Sequence, residues 1–192
     1  MDAFSYLSVM ISLILGLAIT QVLQGFRGLM QARSRLAGYW PSVVWALLIV
    51  VISVQGWWSM FGLRLHVDWT FLEFSAVLAQ TVVLYLLAAL VLPDAHGDAA
   101  VDLRAYYEGQ RRWFFSLLVI LIVASLGKSL ILEAQLPRPA DLAFHGLFAL
   151  LGASGALIAS RRYHAVLAIA GVVAISAYIA LLFMHLAQPV GR

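Results

Sequence analysis

The chain has 192 residues, of which 64% are hydrophobic and only 11% charged, with a net charge of +3. A soluble domain is about half apolar and a quarter charged, so this composition, with a mean hydropathy of +0.96, predicts an all-α polytopic membrane protein. The absence of cysteine excludes disulfides, iron–sulfur clusters and thiolate metal sites.

Six apolar segments each supply the roughly 20 residues that a bilayer requires. They run over about 4–26, 41–63, 69–92, 113–132, 141–160 and 164–186. The expectation is one bundle spanning residues 1–192, with short loops. The N-terminal stretch lacks a basic region, and its apolar run exceeds the core of a secretory signal. It therefore reads as a first membrane helix that is retained. Pro41, Pro93, Pro137, Pro139 and Pro189 fall at predicted ends, and Tyr39, Trp40, Trp57, Trp58, Trp69, Trp113 and Tyr163 mark headgroup levels.

The first segment carries Ser8, Ser12, Gly16, Thr20, Gln24 and Gly28, each four residues after the last. In lipid, helices associate through close backbone approach and interhelical hydrogen bonds, so the stripe predicts a packing face. Packing within the bundle comes first, with a seam to a second copy or to a larger membrane complex as the alternative.

The third segment holds Glu73 near its start and Gln80 two turns further on, on one face. The fourth holds Lys128, the only lysine, near its end, with Ser125 and Ser129 at helical spacing. A charge inside a span is costly and marks a functional site by default. With about 1.5 Å of rise per residue, Glu73 and Lys128 can reach one level, and the expectation is that they pair. Gln55 adds an amide from the second segment, His145 opens the fifth, and Tyr178 and His185 close the sixth. Together these residues predict a polar pocket at one end of the bundle.

The loop Pro93–Arg112 should turn at Asp94–Gly97, with Asp98 or Asp102 capping a short helix that runs into the fourth span. Asp94, His96 and Asp98 alternate, but without a fourth ligand they read as a polar turn rather than a metal site. His145 and His185 invite a bis-imidazole haem. Both lie at an interface, where histidine is ordinary, and no second pair exists to relay electrons, so no cofactor is expected and a haem- or quinone-linked redox role is the second alternative.

Gly152-Ala153-Ser154-Gly155 resembles the GxSG nucleophile motif of the rhomboid intramembrane proteases, six-helix proteins with a Ser–His dyad. The resemblance implies Ser154 as nucleophile. The predicted spans separate Ser154 from His185 by about 15 Å along the membrane normal, beyond hydrogen-bond reach. Helix packing through Gly152 and Gly155 is the reading the residues favour. The length and span count are also similar to the substrate-binding components of some vitamin importers, a resemblance of architecture that no motif accompanies. Three spans followed by three of opposite orientation permit an inverted repeat, although the halves share no residue pattern.

The loops after segments 1, 3 and 5 hold Arg27, Arg33, Arg35, Arg104, Arg111, Arg112, Arg161 and Arg162, against Arg64, Arg138 and Arg192 on the other side. These arginines read as topology signals rather than nucleic-acid contacts. They place the arginine-rich loops in the cytoplasm and both termini outside. A single lysine among many arginines and the absence of asparagine fit a GC-rich bacterial genome, hence a bacterial inner membrane. Single cysteines at Ser34, Ala99 or Ser160 should be shielded from an impermeant thiol reagent added outside, and cysteines at Ala3, Val67 or Ala140 should label. The reverse pattern would invert the orientation.

Overall fold

A computed structural model of the chain describes residues 3–66, 68–95 and 100–183. Six helices are long and apolar enough to cross a membrane: α1 (Ala3–Gln31), α2 (Trp40–Ser59), α3 (Phe71–Leu90), α4 (Leu103–Glu133), α5 (Pro139–Leu157) and α6 (Arg161–Tyr178). The all-α six-helix bundle expected from the hydropathy is therefore present. A 3-10 turn, Met60–Leu65, extends α2, and a π turn, Ile179–Phe183, extends α6.

Local chemistry sets the ends. Pro41 and Pro139 occupy first-turn positions, where a missing N–H costs nothing. Asp102 caps α4, its Oδ1 accepting from the amides of Arg104 (2.9 Å) and Ala105 (3.0 Å). The short helix expected ahead of the fourth span is the start of α4 itself, which runs unbroken from Leu103 rather than starting at Trp113. α4 stops where Ala134 turns left-handed at φ 52°. Leu36–Ala37 pairs in parallel with Val101–Asp102, making a two-stranded ladder (β1, β2) that joins the loop after α1 to the cap of α4. Two residues per strand leave no period to read, and hydropathy gave no sign of it.

α4 is the central element. It packs against α3 on one side and α5 on the other; α1 lies on α3 and α2, and α6 on α2 and α5. The core holds Trp45, Phe114, Phe115, Leu118 and Leu121, with the Trp45 and Phe115 rings edge-to-face at 5.1 Å. Gly152 and Gly155 let α5 approach α4. A Cβ at Gly155 would stand 2.6 Å from the Phe115 ring, and one at Gly152 would stand 2.9 Å from Val119. Ser154 hydrogen-bonds back to the Leu151 carbonyl at 3.0 Å. The GxSG segment is thus a helix-packing seam.

Helix α1 corrects an expectation. Its bundle face is Ile11, Leu15, Ala18, Val22, Gly25 and Leu29, all buried. Of the small-residue stripe only Gly28 is buried and Ser8 partly so; Ser12, Gly16, Thr20 and Gln24 are exposed, and nothing lies within 4 Å of a Cβ built on Gly16. Steps of four residues overshoot a 3.6-residue turn by about 40° each, so a run of five winds about 200° around the helix. Such a stripe cannot stay on one face.

Phe115 is fully buried and its ring has no room to yield. Gly155→Ala should therefore cost about 1–3 kcal/mol through overpacking. Gly146→Ala, with nothing within 4 Å, should be neutral or stabilising. Thermal unfolding in detergent measures the difference; equal midpoints would contradict the tight α4–α5 seam.

Candidate functional site

Away from the arginine loops, α2 to α6 surround a cavity of about 90 Å³. That volume is room for roughly half a dozen waters or one small organic molecule. Its walls are apolar, from Trp45, Leu118, Phe148 and Ile175, and five polar side chains enter it: Gln55 from α2, Gln80 from α3, Ser125 from α4, His145 from α5 and Tyr178 from α6. The structure brings together four residues expected from sequence, Gln55, Gln80, His145 and Tyr178. Ser125 joins them, although it was expected only as a neighbour of Lys128. Sparse polar groups in an apolar enclosure are the usual composition of a ligand site.

Hydrogen bonds order one wall. Tyr178, set between Phe144 and Phe148 (ring centroids at 5.3 and 5.5 Å), donates to Asp141 Oδ1 at 3.1 Å. His145 Nδ1 faces the Asp141 carbonyl at 2.9 Å and the Asp141 carboxylate at 3.2 Å. Its Nε2 lies 3.1 Å from Ser125 Oγ. Nδ1 has only acceptors around it and carries the hydrogen, so in the neutral ring Nε2 accepts from Ser125. Asp141 and His145 stand four apart on one helix and therefore share a face.

Glu73 and Lys128 do not pair. Glu73 closes the start of α3: its Oε2 accepts from the Thr70 amide (2.7 Å) and hydroxyl (2.8 Å), while the Thr70 Oγ1 accepts from the Glu73 amide (3.3 Å). His66 Nε2 lies 3.2 Å from its second oxygen. This is a reciprocal capping box, which occupies the carboxylate at the helix end. The Thr70-x-x-Glu73 spacing carried that signal in the sequence. Lys128 lies in α4 one turn beyond Ser125, partly buried, and its electrostatic neighbours are Glu133 and Asp141. Neither Glu73 nor Lys128 lines the cavity. His185, like His96 and Asp98, lies outside the described residues. A haem iron at His145 Nε2 would have to displace Ser125.

A second buried polar cluster, at the arginine end, was not anticipated. Arg111, only 8% exposed, donates from Nη1 to the carbonyls of Gly155 (3.0 Å), Ala156 (2.7 Å) and Ile158 (2.9 Å). These are the acceptors left over where α5 ends, and in a membrane they need a partner from the protein. His164 Nε2 donates to the same Ile158 carbonyl at 2.8 Å, and its Nδ1 accepts from the Tyr107 hydroxyl at 2.8 Å. Arg111 is thus a buried structural donor inside α4, not a loop cation. Tyr107 and Arg111 are four apart on α4, a spacing that was visible, but their acceptors on α5 and α6 were not.

No family model, no curated protein and no solved structure matches the chain. The six apolar helices define an integral, multi-pass membrane protein.

Because Glu73 and Lys128 have separate environments, Glu73→Gln and Lys128→Met should change stability additively, within about 0.5 kcal/mol. Glu73→Gln and His66→Gln should couple. Coupling in the first cycle would restore the abandoned pair.

Proposed function

We propose that the protein is a bacterial inner-membrane protein that binds or passes a small solute, ion or lipid through the cavity between α2 and α6. The carrying observation is the convergence of Gln55, Gln80, Ser125, His145 and Tyr178, from five helices, on one cavity of about 90 Å³. Apolar walls with a few hydrogen-bonding groups suit a small amphiphile better than a bare ion, which needs a fuller polar shell. The arginine asymmetry supports an outward-facing position for this end, with both termini outside.

One observation favours a second reading, a subunit that assembles with another copy or a larger complex through α1. Ser12, Gly16, Thr20 and Gln24 are exposed on a helix that would otherwise face lipid. Thr20 satisfies its hydroxyl on the Gly16 carbonyl at 2.8 Å, whereas no hydrogen bond joins the Gln24 amide to any described residue. Small residues with an amide among them are the usual material of helix–helix contacts in lipid.

Native mass spectrometry from a mild detergent reads both. A retained small molecule, lost in Gln55→Leu/Gln80→Leu while that variant keeps its fold, supports the cavity as the working site. A dimer abolished by Gly16→Leu, with no bound molecule, supports assembly. A bare monomer throughout would count against both.

A further inference from the structure

Beside the cavity, one turn beyond its lining residue Ser125, α4 carries a feature that simple ligand binding does not require. Lys128 lies partly buried in α4 and forms no ion pair or hydrogen bond with any described residue. The carboxylates in its electrostatic range are Asp141 and Glu133. Asp141 is already engaged by Tyr178 at 3.1 Å and His145 at 3.2 Å, and Glu133 is exposed. An ammonium inside a span without a direct partner among the described residues is a position for an anion.

His145 is 6% exposed and stands between the half-buried Asp141 and the cavity. Its Nδ1 side leads to Asp141, whose side chain is 25% exposed, and its Nε2 side leads to Ser125. A neutral His145 accepts the Ser125 hydroxyl hydrogen. Protonation puts a hydrogen on Nε2, so this nitrogen becomes a donor and Ser125 must turn its own hydrogen elsewhere. The charge count changes at the same step. With His145 neutral, Lys128 faces two carboxylates, Asp141 and Glu133, and the formal charges sum to one negative; with His145 protonated they balance, so an arriving anion is no longer opposed by an excess carboxylate. The other groups facing it alter nothing in that count. Tyr178 of α6 is a hydrogen-bonded phenol, while Gln55 and Gln80 of α2 and α3 are uncharged.

We propose that the Asp141–His145–Ser125 chain makes this cavity a proton-linked site for a small amphiphilic anion, its head beside Lys128 and Ser125 and its apolar body against Trp45, Leu118 and Phe148. The inference rests on the cavity being a ligand site. One proton enters with the anion and leaves with it. The sign follows: the anion binds well below the His145 transition and weakly above it, and by reciprocity the bound anion favours protonated His145.

Propane-1-sulfonate is a suitable probe because it is small and its head stays ionised from pH 5 to 8, so any proton taken up belongs to the protein. Calorimetry on the full chain in a neutral detergent, at pH 5.5 and 7.5 and in two buffers of different ionisation enthalpy, reads affinity and proton uptake together. Binding should be about tenfold tighter at pH 5.5, with nearly one proton absorbed per site at pH 7.5. His145→Gln should still bind the sulfonate, but without pH dependence or proton uptake. Lys128→Met should bind weakly at both values. Absence of saturable sulfonate binding at either pH overturns the proposal, and so does proton uptake that survives in His145→Gln. Uncharged 1-propanol separates the two levels: if it binds where the sulfonate does not, the cavity reading stands and the anion inference is lost.

Discussion

The bundle depends on how α4 and α5 meet where α5 stops. A helix end that is packed against other helices leaves carbonyls that water cannot reach and the protein must satisfy. Here a single guanidinium, Arg111, takes three of them, and His164 shares the last. Hydrogen bonds to a charged donor are worth about 1.5–3 kcal/mol each. The arrangement also places a cation at the negative end of the helix dipole. One turn along α4, Phe115 sits against Gly155 with no space to spare. These contacts fix α5 on α4, and Tyr107 bonded to His164 brings in α6.

The cavity follows from that clamp. α4, the longest helix among the described residues, carries both polar sites, Arg111 towards one end and Ser125 towards the other. The first is saturated by backbone carbonyls and serves the fold. The second meets a histidine, His145, and opens onto space.

The fate of Glu73 and Lys128 shows why depth along a membrane is a weak guide to contact. Two side chains at one level can lie on different faces of the bundle, and a carboxylate in the first turn of a helix has local amides within reach. Thr70 and His66 hold Glu73 before any distant cation can compete. Lys128 is left near Asp141, a neighbour that only the packing of α5 on α4 supplies.

Hydropathy by itself determined the number of helices, their approximate ends and the membrane as solvent, because each span must satisfy its own backbone and cover itself with apolar side chains. The residue types of the cavity were legible for the same reason: Gln55, Gln80, His145 and Tyr178 are conspicuous as polar groups in apolar runs. Prolines and Asp102 marked helix starts through chemistry that acts over a few residues. The burial of Arg111 and His164, the exposed face of α1, the Leu36–Ala37 ladder and the bond from Ser125 to His145 were decided only by the tertiary structure. Each depends on the rotation of a helix about its axis and on its choice of neighbour. In a membrane every face of a helix is apolar enough to meet lipid, so the pattern that orients a soluble helix is missing, and close packing of side chains decides instead.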